Sequence, residues 1–66
     1  MLTKRSFSLA GHRTSVALEP EFWGALAALA AARGTTLGAL IVQVDAARAD
    51  RPLASALRVF ALMERP

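Results

Sequence analysis

The most constraining feature of this chain is a change of period at residue 19. Residues 13–18 read Arg13-Thr14-Ser15-Val16-Ala17-Leu18. Thr14, Val16 and Leu18 fall on one side and Arg13, Ser15 and Ala17 on the other, the two-residue alternation of a half-buried strand. Glu19-Pro20-Glu21 follows. Proline suits the first position of a helix and carboxylates suit its positive end. Phe22, Leu26, Leu29 and Ala30 then recur at helical spacing, and Trp23 widens that stripe. A lone strand leads directly into helical sequence, and a lone strand leaves backbone N–H and C=O groups unpaired. Read this way, each chain has one usable strand, and its natural partner is the same strand of a second copy.

Upstream, Phe7 and Leu9 alternate with Ser6 and Ser8, and Gly11 separates this run from the next. Three conformations stay open for it: a strand, a hairpin partner or a mobile arm. Downstream, the first helix is expected over residues 20–33, ending at Arg33-Gly34, with glycine completing the cap. Thr35 or, better, Thr36 caps a second helix over residues 36–49. Leu37, Leu40, Ile41 and Val44 form its stripe, and Arg51-Pro52 breaks it. A third helix is expected over residues 53–64. Leu53, Ala56, Leu57 and Phe60 give one stripe, while Val59, Leu62 and Met63 lie off it. A helix this apolar is expected to be buried on more than one side, by its own chain and by a partner chain.

Size supports the same dimer. Sixty-six residues allow one domain, and 55% of them are hydrophobic, although fifteen of these are alanine. Small scaffolds need a staple, and with no cysteine in the chain a disulfide is not available. Oligomerisation is the staple that remains.

The charge is placed unevenly. Lys4, Arg5 and Arg13 stand in residues 1–18 without an acid, whereas residues 19–66 balance five basic against five acidic residues. The formal net charge of +3 therefore belongs to the first quarter of the chain. A basic N-terminal arm, residues 1–12, joined to a neutral body suits an acidic partner. The most apolar stretch, residues 25–32, is too short to span a membrane. Residues 6–11 are too short and polar for the core of a signal peptide. A cytoplasmic protein is expected.

Enzymatic readings find little support. No serine sits in a nucleophile-elbow glycine pattern. The four glycines are too dispersed for a phosphate loop. His12, the single histidine, has no second ligand nearby, so a turn or hydrogen-bonding role suits it better than a metal. No catalytic residue, no metal and no cofactor are expected.

In their order, the alternating strand at residues 13–18, Glu19-Pro20-Glu21-Phe22-Trp23, Leu26, Leu29, Ala30, Gly34-Thr35-Thr36 and Leu40-Ile41 resemble the ribbon-helix-helix family of the MetJ, Arc and CopG repressors. The resemblance covers roughly residues 13–48. Gly11-His12-Arg13-Thr14-Ser15, with Leu18-Glu19-Pro20-Glu21-Phe22-Trp23 and the C-terminal residues 53–63, is similar to a bacterial subgroup of single-domain members. The fold class implied is mostly α with one N-terminal β-strand, a ribbon-helix-helix homodimer with an additional C-terminal helix. The function implied is sequence-directed binding of duplex DNA by a transcriptional regulator. In such proteins a two-stranded antiparallel ribbon enters the major groove, which is about 12 Å wide.

Carried over, the base-reading residues are Arg13, Ser15 and Ala17. Arg13 has the forked donors that suit guanine, and Ala17 offers at most contact with a thymine methyl. The N-terminus of the second helix, at Thr35 and Thr36, is where the family holds a phosphate, and Lys4, Arg5 and His12 can add backbone contacts. The dimer core is assigned to Thr14, Val16, Leu18, Phe22, Trp23, Leu40, Ile41, Val44 and Phe60. Arg13 and Ser15 also fit the wet face of a half-buried strand. The thin reading set motivates an alternative: a protein-interaction module, antitoxin-like or adaptor, on the same dimeric scaffold, with the third helix facing a protein partner.

Overall fold

The computed structural model describes residues 1–65. The chain runs β1 (Thr3–Leu9), β2 (His12–Leu18), α1 (Pro20–Ala32), α2 (Leu37–Ala47) and α3 (Leu53–Glu64). The class is mostly helical with an N-terminal β element and an additional C-terminal helix. The β element has two strands rather than one.

Residues 3–9, read as part of a basic arm, form β1, which pairs antiparallel with β2 from Thr3↔Leu18 to Leu9↔His12. The strand expected to await a second copy therefore finds its partner nine residues upstream in its own chain. The cause is the turn. Ala10 and Gly11 both have positive φ, 52° and 81°, the backbone of a two-residue type I′ connection whose twist matches the strands it joins. Asparagine-glycine is the usual signal for that turn, and alanine in the first place conceals it.

The helix boundaries have local causes. α1 begins on Pro20, with Glu19 in an extended conformation and its carbonyl accepting from Phe22 N–H at 2.9 Å. The Glu19 carboxylate does not cap this helix; it accepts from Arg58 Nε at 3.0 Å instead. At the other end, Gly34 takes φ 67°. Thr35 N–H then reaches Ala30 O at 2.9 Å and Gly34 N–H reaches Ala31 O at 3.1 Å. These two bonds satisfy carbonyls that the helix end leaves free. Thr36 caps α2, its hydroxyl accepting from Ala39 N–H at 3.1 Å. α2 stops at Ala47, ahead of Pro52, because Ala49 turns into the left-handed region at φ 55°. Arg48 braces that corner, donating to Asp45 at 2.7 Å and to the Arg51 carbonyl at 2.9 Å.

Leu18, Leu26, Leu40, Ile41 and Leu57 are completely buried, so β2 and all three helices contribute to one core. An isolated two-stranded hairpin is marginal in water. Here its inner face is covered, β1 lying against α2 and β2 against α3. No charged or polar side chain is buried among the described residues.

α3 buries one face in its own chain. Leu53, Ala56, Leu57 and Ala61 are buried, but Val59, Leu62 and Met63 stand in solvent in the single chain. One face of this short helix is enough to close the core, and the off-stripe residues have nothing of their own chain to meet. No single helix among the described residues is long and apolar enough to cross a membrane.

Candidate nucleic-acid interface

Strand alternation and the β1–β2 register together divide the hairpin into two faces. Thr3, Arg5, Phe7 and Leu9 lie opposite Leu18, Val16, Thr14 and His12. This is the inner face, with Leu9, Val16 and Leu18 buried and Phe7 and Thr14 half-buried. The outer face pairs Lys4 with Ala17, Ser6 with Ser15 and Ser8 with Arg13. All of these are exposed except Ala17, which is half-buried.

The outer face is polar, small and ordered. The Ser6 and Ser15 hydroxyls are hydrogen-bonded at 2.9 Å across the centre of the ribbon. At the turn end, Arg13 Nη1 donates to Ser8 Oγ at 3.5 Å, a weak bond that inclines the guanidinium along the ribbon. Three serines and an alanine keep the surface flat, so a ligand can approach the ribbon closely. Lys4 and Arg13 mark its two ends.

The electrostatics sharpen the unevenness seen in the sequence. Arg33 pairs with Glu64, Arg48 with Asp45 and Arg58 with Glu19. These three pairs lie outside the hairpin. Among the described residues, Lys4, Arg5 and Arg13 have no acidic partner within ion-pair distance. The hairpin thus projects uncompensated positive charge from a body whose arginines are largely matched.

The proposed phosphate contacts do not share one surface. Lys4 is on the outer face, whereas Arg5 is on the inner one, with its guanidinium 5.2 Å from the centre of the Trp23 ring. His12 stands on the inner side beside the turn, exposed and opposite Leu9. Thr35 and Thr36 belong to the α1–α2 turn, where their hydrogen bonds close helix ends. The residues assigned to a dimer core fill the core of the single chain. Val16, Leu18, Trp23, Leu40, Ile41 and Val44 are buried, while Phe22 and Phe60 pack against that core and Thr14 is half-buried.

Two residues of the outer face, Ser6 and Ser8, were absent from the sequence-derived site. The signal was present in the Ser6/Phe7/Ser8/Leu9 alternation, but only the register shows which outward residues share a face with Arg13 and Ser15. No group of three or more His, Cys, Asp or Glu side chains converges among the described residues. What the outer face offers is hydrogen bonding: hydroxyls that donate or accept, one forked guanidinium and one ammonium.

A family model described as a ribbon-helix-helix domain matches residues 2–64. No curated protein and no solved structure matches the chain.

Proposed function

The chain belongs to the ribbon-helix-helix family, and from that premise we propose that it is a DNA-binding transcriptional regulator that lays the outer face of its β-hairpin in the major groove. The family is generally one of DNA-binding regulators and antitoxins. The observation that carries the reading is the outer hairpin face, flat, rich in hydroxyls and cationic, on a body that pairs most of its own charges.

Arg13 and Ser15 read base edges, and Ala17 leaves room or meets a thymine methyl. Phosphate contacts fall to Lys4 on the outer face, to the exposed Arg5 and His12 on the inner side of the hairpin, and to the α2 N-terminus at Thr35 and Thr36. Such a role places the protein in the cytoplasm with the DNA and requires no catalysis.

A homodimer is part of the proposal, on a revised ground. The hairpin pairs one edge of β2 within the chain and leaves the other edge open, so a second copy is no longer the only strand partner but still has an edge to meet. Further support is apolar surface: Val42, Val59, Leu62 and Met63 are 39–71% exposed. Size measurement in solution should give about twice the chain mass.

Binding to duplex DNA at low and moderate salt tests the main reading. Affinity should fall steeply as salt rises, and Arg13→Ala should weaken it most. Failure to bind at low salt overturns the reading.

A second reading draws on α3. Val59, Phe60 and Met63 face Val44 and Ala47 of α2 across an open groove, with Arg48 and Arg51 at its margin. An antitoxin-like or adaptor module would use this surface for a protein partner. Recovery of a stoichiometric protein partner, with DNA affinity unchanged by Arg13→Ala, would favour it.

A further inference from the structure

We propose that the groove between α2 and α3 binds a small amphipathic carboxylate, with its apolar body between the two helices and its anionic head on Arg51. Occupancy of this groove is independent of the DNA-binding reading. The groove encloses about 410 Å³, a size that suits a small molecule. Val44 and Ala47 of α2 form one wall, and Val59, Phe60 and Met63 of α3 form the other. From Ala56 to Met63 the α3 wall rises about 10 Å. A medium-length alkyl chain laid along it removes apolar surface from water on both walls.

Free charge stands at one end only. Glu64, toward the far end, is paired with Arg33, whose guanidinium also lies over Phe60 at 5.2 Å. At the corner between the helices, Arg48 donates to Asp45 at 2.7 Å and to the Arg51 carbonyl at 2.9 Å. The Arg51 side chain is exposed and has no acidic partner within ion-pair distance among the described residues. Asp50, its neighbour in sequence, neither pairs with it nor lines the groove. An apolar groove that ends in one uncompensated forked cation fits an apolar body carrying a single carboxylate.

A second copy of the chain is a poorer occupant. A two-fold contact through this groove brings the same cationic patch from both copies together, with no acid to offset it. The open edge of β2, Val42 and Leu62 all lie outside the groove lining, and they remain available to a dimer.

Titration of octanoate below its micellar range into the isotope-labelled protein, followed by amide NMR shifts, tests the site. The amides of Val44, Arg51, Val59 and Met63 should shift together and saturate. Octylamine, with the same chain and a cationic head, should bind more weakly. Arg51→Ala should weaken octanoate about five-fold and leave octylamine no weaker than on the wild type. Met63→Gln should weaken both ligands. Arg48 is left intact because it braces the corner, and each variant should keep the wild-type circular dichroism spectrum. Equal affinity for octanoate and octylamine, or shifts confined to Val42 and Leu62, would mean apolar adsorption without an anion site and overturns the proposal. Octanoate affinity that falls as protein concentration rises would mean that a second copy fills the groove, which also overturns it. None of these measurements involves DNA, so the DNA-binding reading stands or falls separately.

Discussion

The indole Nε1 of Trp23 donates to the main-chain carbonyl of Thr3 at 2.7 Å, joining the first residue of β1 to the first turn of α1. The same ring packs against Phe7, with centroids 5.8 Å apart, and carries Arg5 over it. One side chain of α1 therefore meets three residues of β1. It anchors the strand at the end away from its turn, where a hairpin otherwise frays. Trp23→Phe keeps an aromatic ring and removes the donor. It should destabilise the protein by about 1–2 kcal/mol, from the lost hydrogen bond and the smaller ring. Denaturant titration measures the loss, and amide exchange should show it concentrated in β1. Protection of β1 equal to the wild type would contradict the anchoring role.

The hairpin turn is a second point of control. Ala10 holds φ 52° ahead of Gly11 at 81°. Alanine is disfavoured there because its Cβ crowds the backbone, whereas asparagine tolerates the left-handed region. Ala10→Asn should stabilise the protein by about 0.5–1 kcal/mol, read as a higher midpoint of thermal unfolding. A lower midpoint would contradict the turn type.

Glu19 and Arg58 join the start of α1 to the middle of α3. The hydrogen bond from Arg58 is the main reason that the Glu19 carboxyl titrates below its ordinary value of 4.5, and a backbone hydrogen bond acts in the same direction. A carboxylate whose pKa falls on folding contributes stability above its unfolded value and loses it as pH falls through the folded one. The wild type should therefore lose more stability than Glu19→Gln on acidification from about pH 6 to pH 2. Parallel stability curves for the two proteins would remove the linkage. The pair is partly exposed, so its contribution should also weaken with added salt.

Thr36 caps α2 through its hydroxyl. Thr36→Ala should cost about 1 kcal/mol of stability, measured by denaturant unfolding. If the α2 N-terminus also holds a phosphate, the folded variant should bind DNA with unchanged base preference and slightly reduced affinity. A change in preference would place Thr36 against bases instead.

Much of the architecture is local in origin. Pro20 starts α1, Gly34 ends it through its positive φ, Thr36 caps α2, and alternation places Val16 and Leu18 inside. Each depends on a side chain acting on backbone within a few residues, so each is written in the order of residues. The outward face of β2 is legible for the same reason: Arg13 and Ser15 are exposed because their neighbours are not.

Other features needed distance across the fold. Ala10-Gly11 lacks the asparagine-glycine signal of its turn, so the sequence left residues 3–9 open among a strand, a hairpin partner and a mobile arm, and only the fold chose the hairpin. Lys4 and Arg5 are adjacent cations in the sequence, and only pairing with Ala17 and Val16 sends them to opposite faces. The destination of the Glu19 carboxylate, thirty-nine residues away on Arg58, also follows from packing rather than local preference. Sequence alone determined which residues face inward, where the helices begin and that the positive charge lies in residues 1–18, because periodicity, capping and charge are short-range properties. Tertiary structure decided which strand β2 pairs with and which cations share its outer face, because register is set by a turn and a core that bring distant residues side by side.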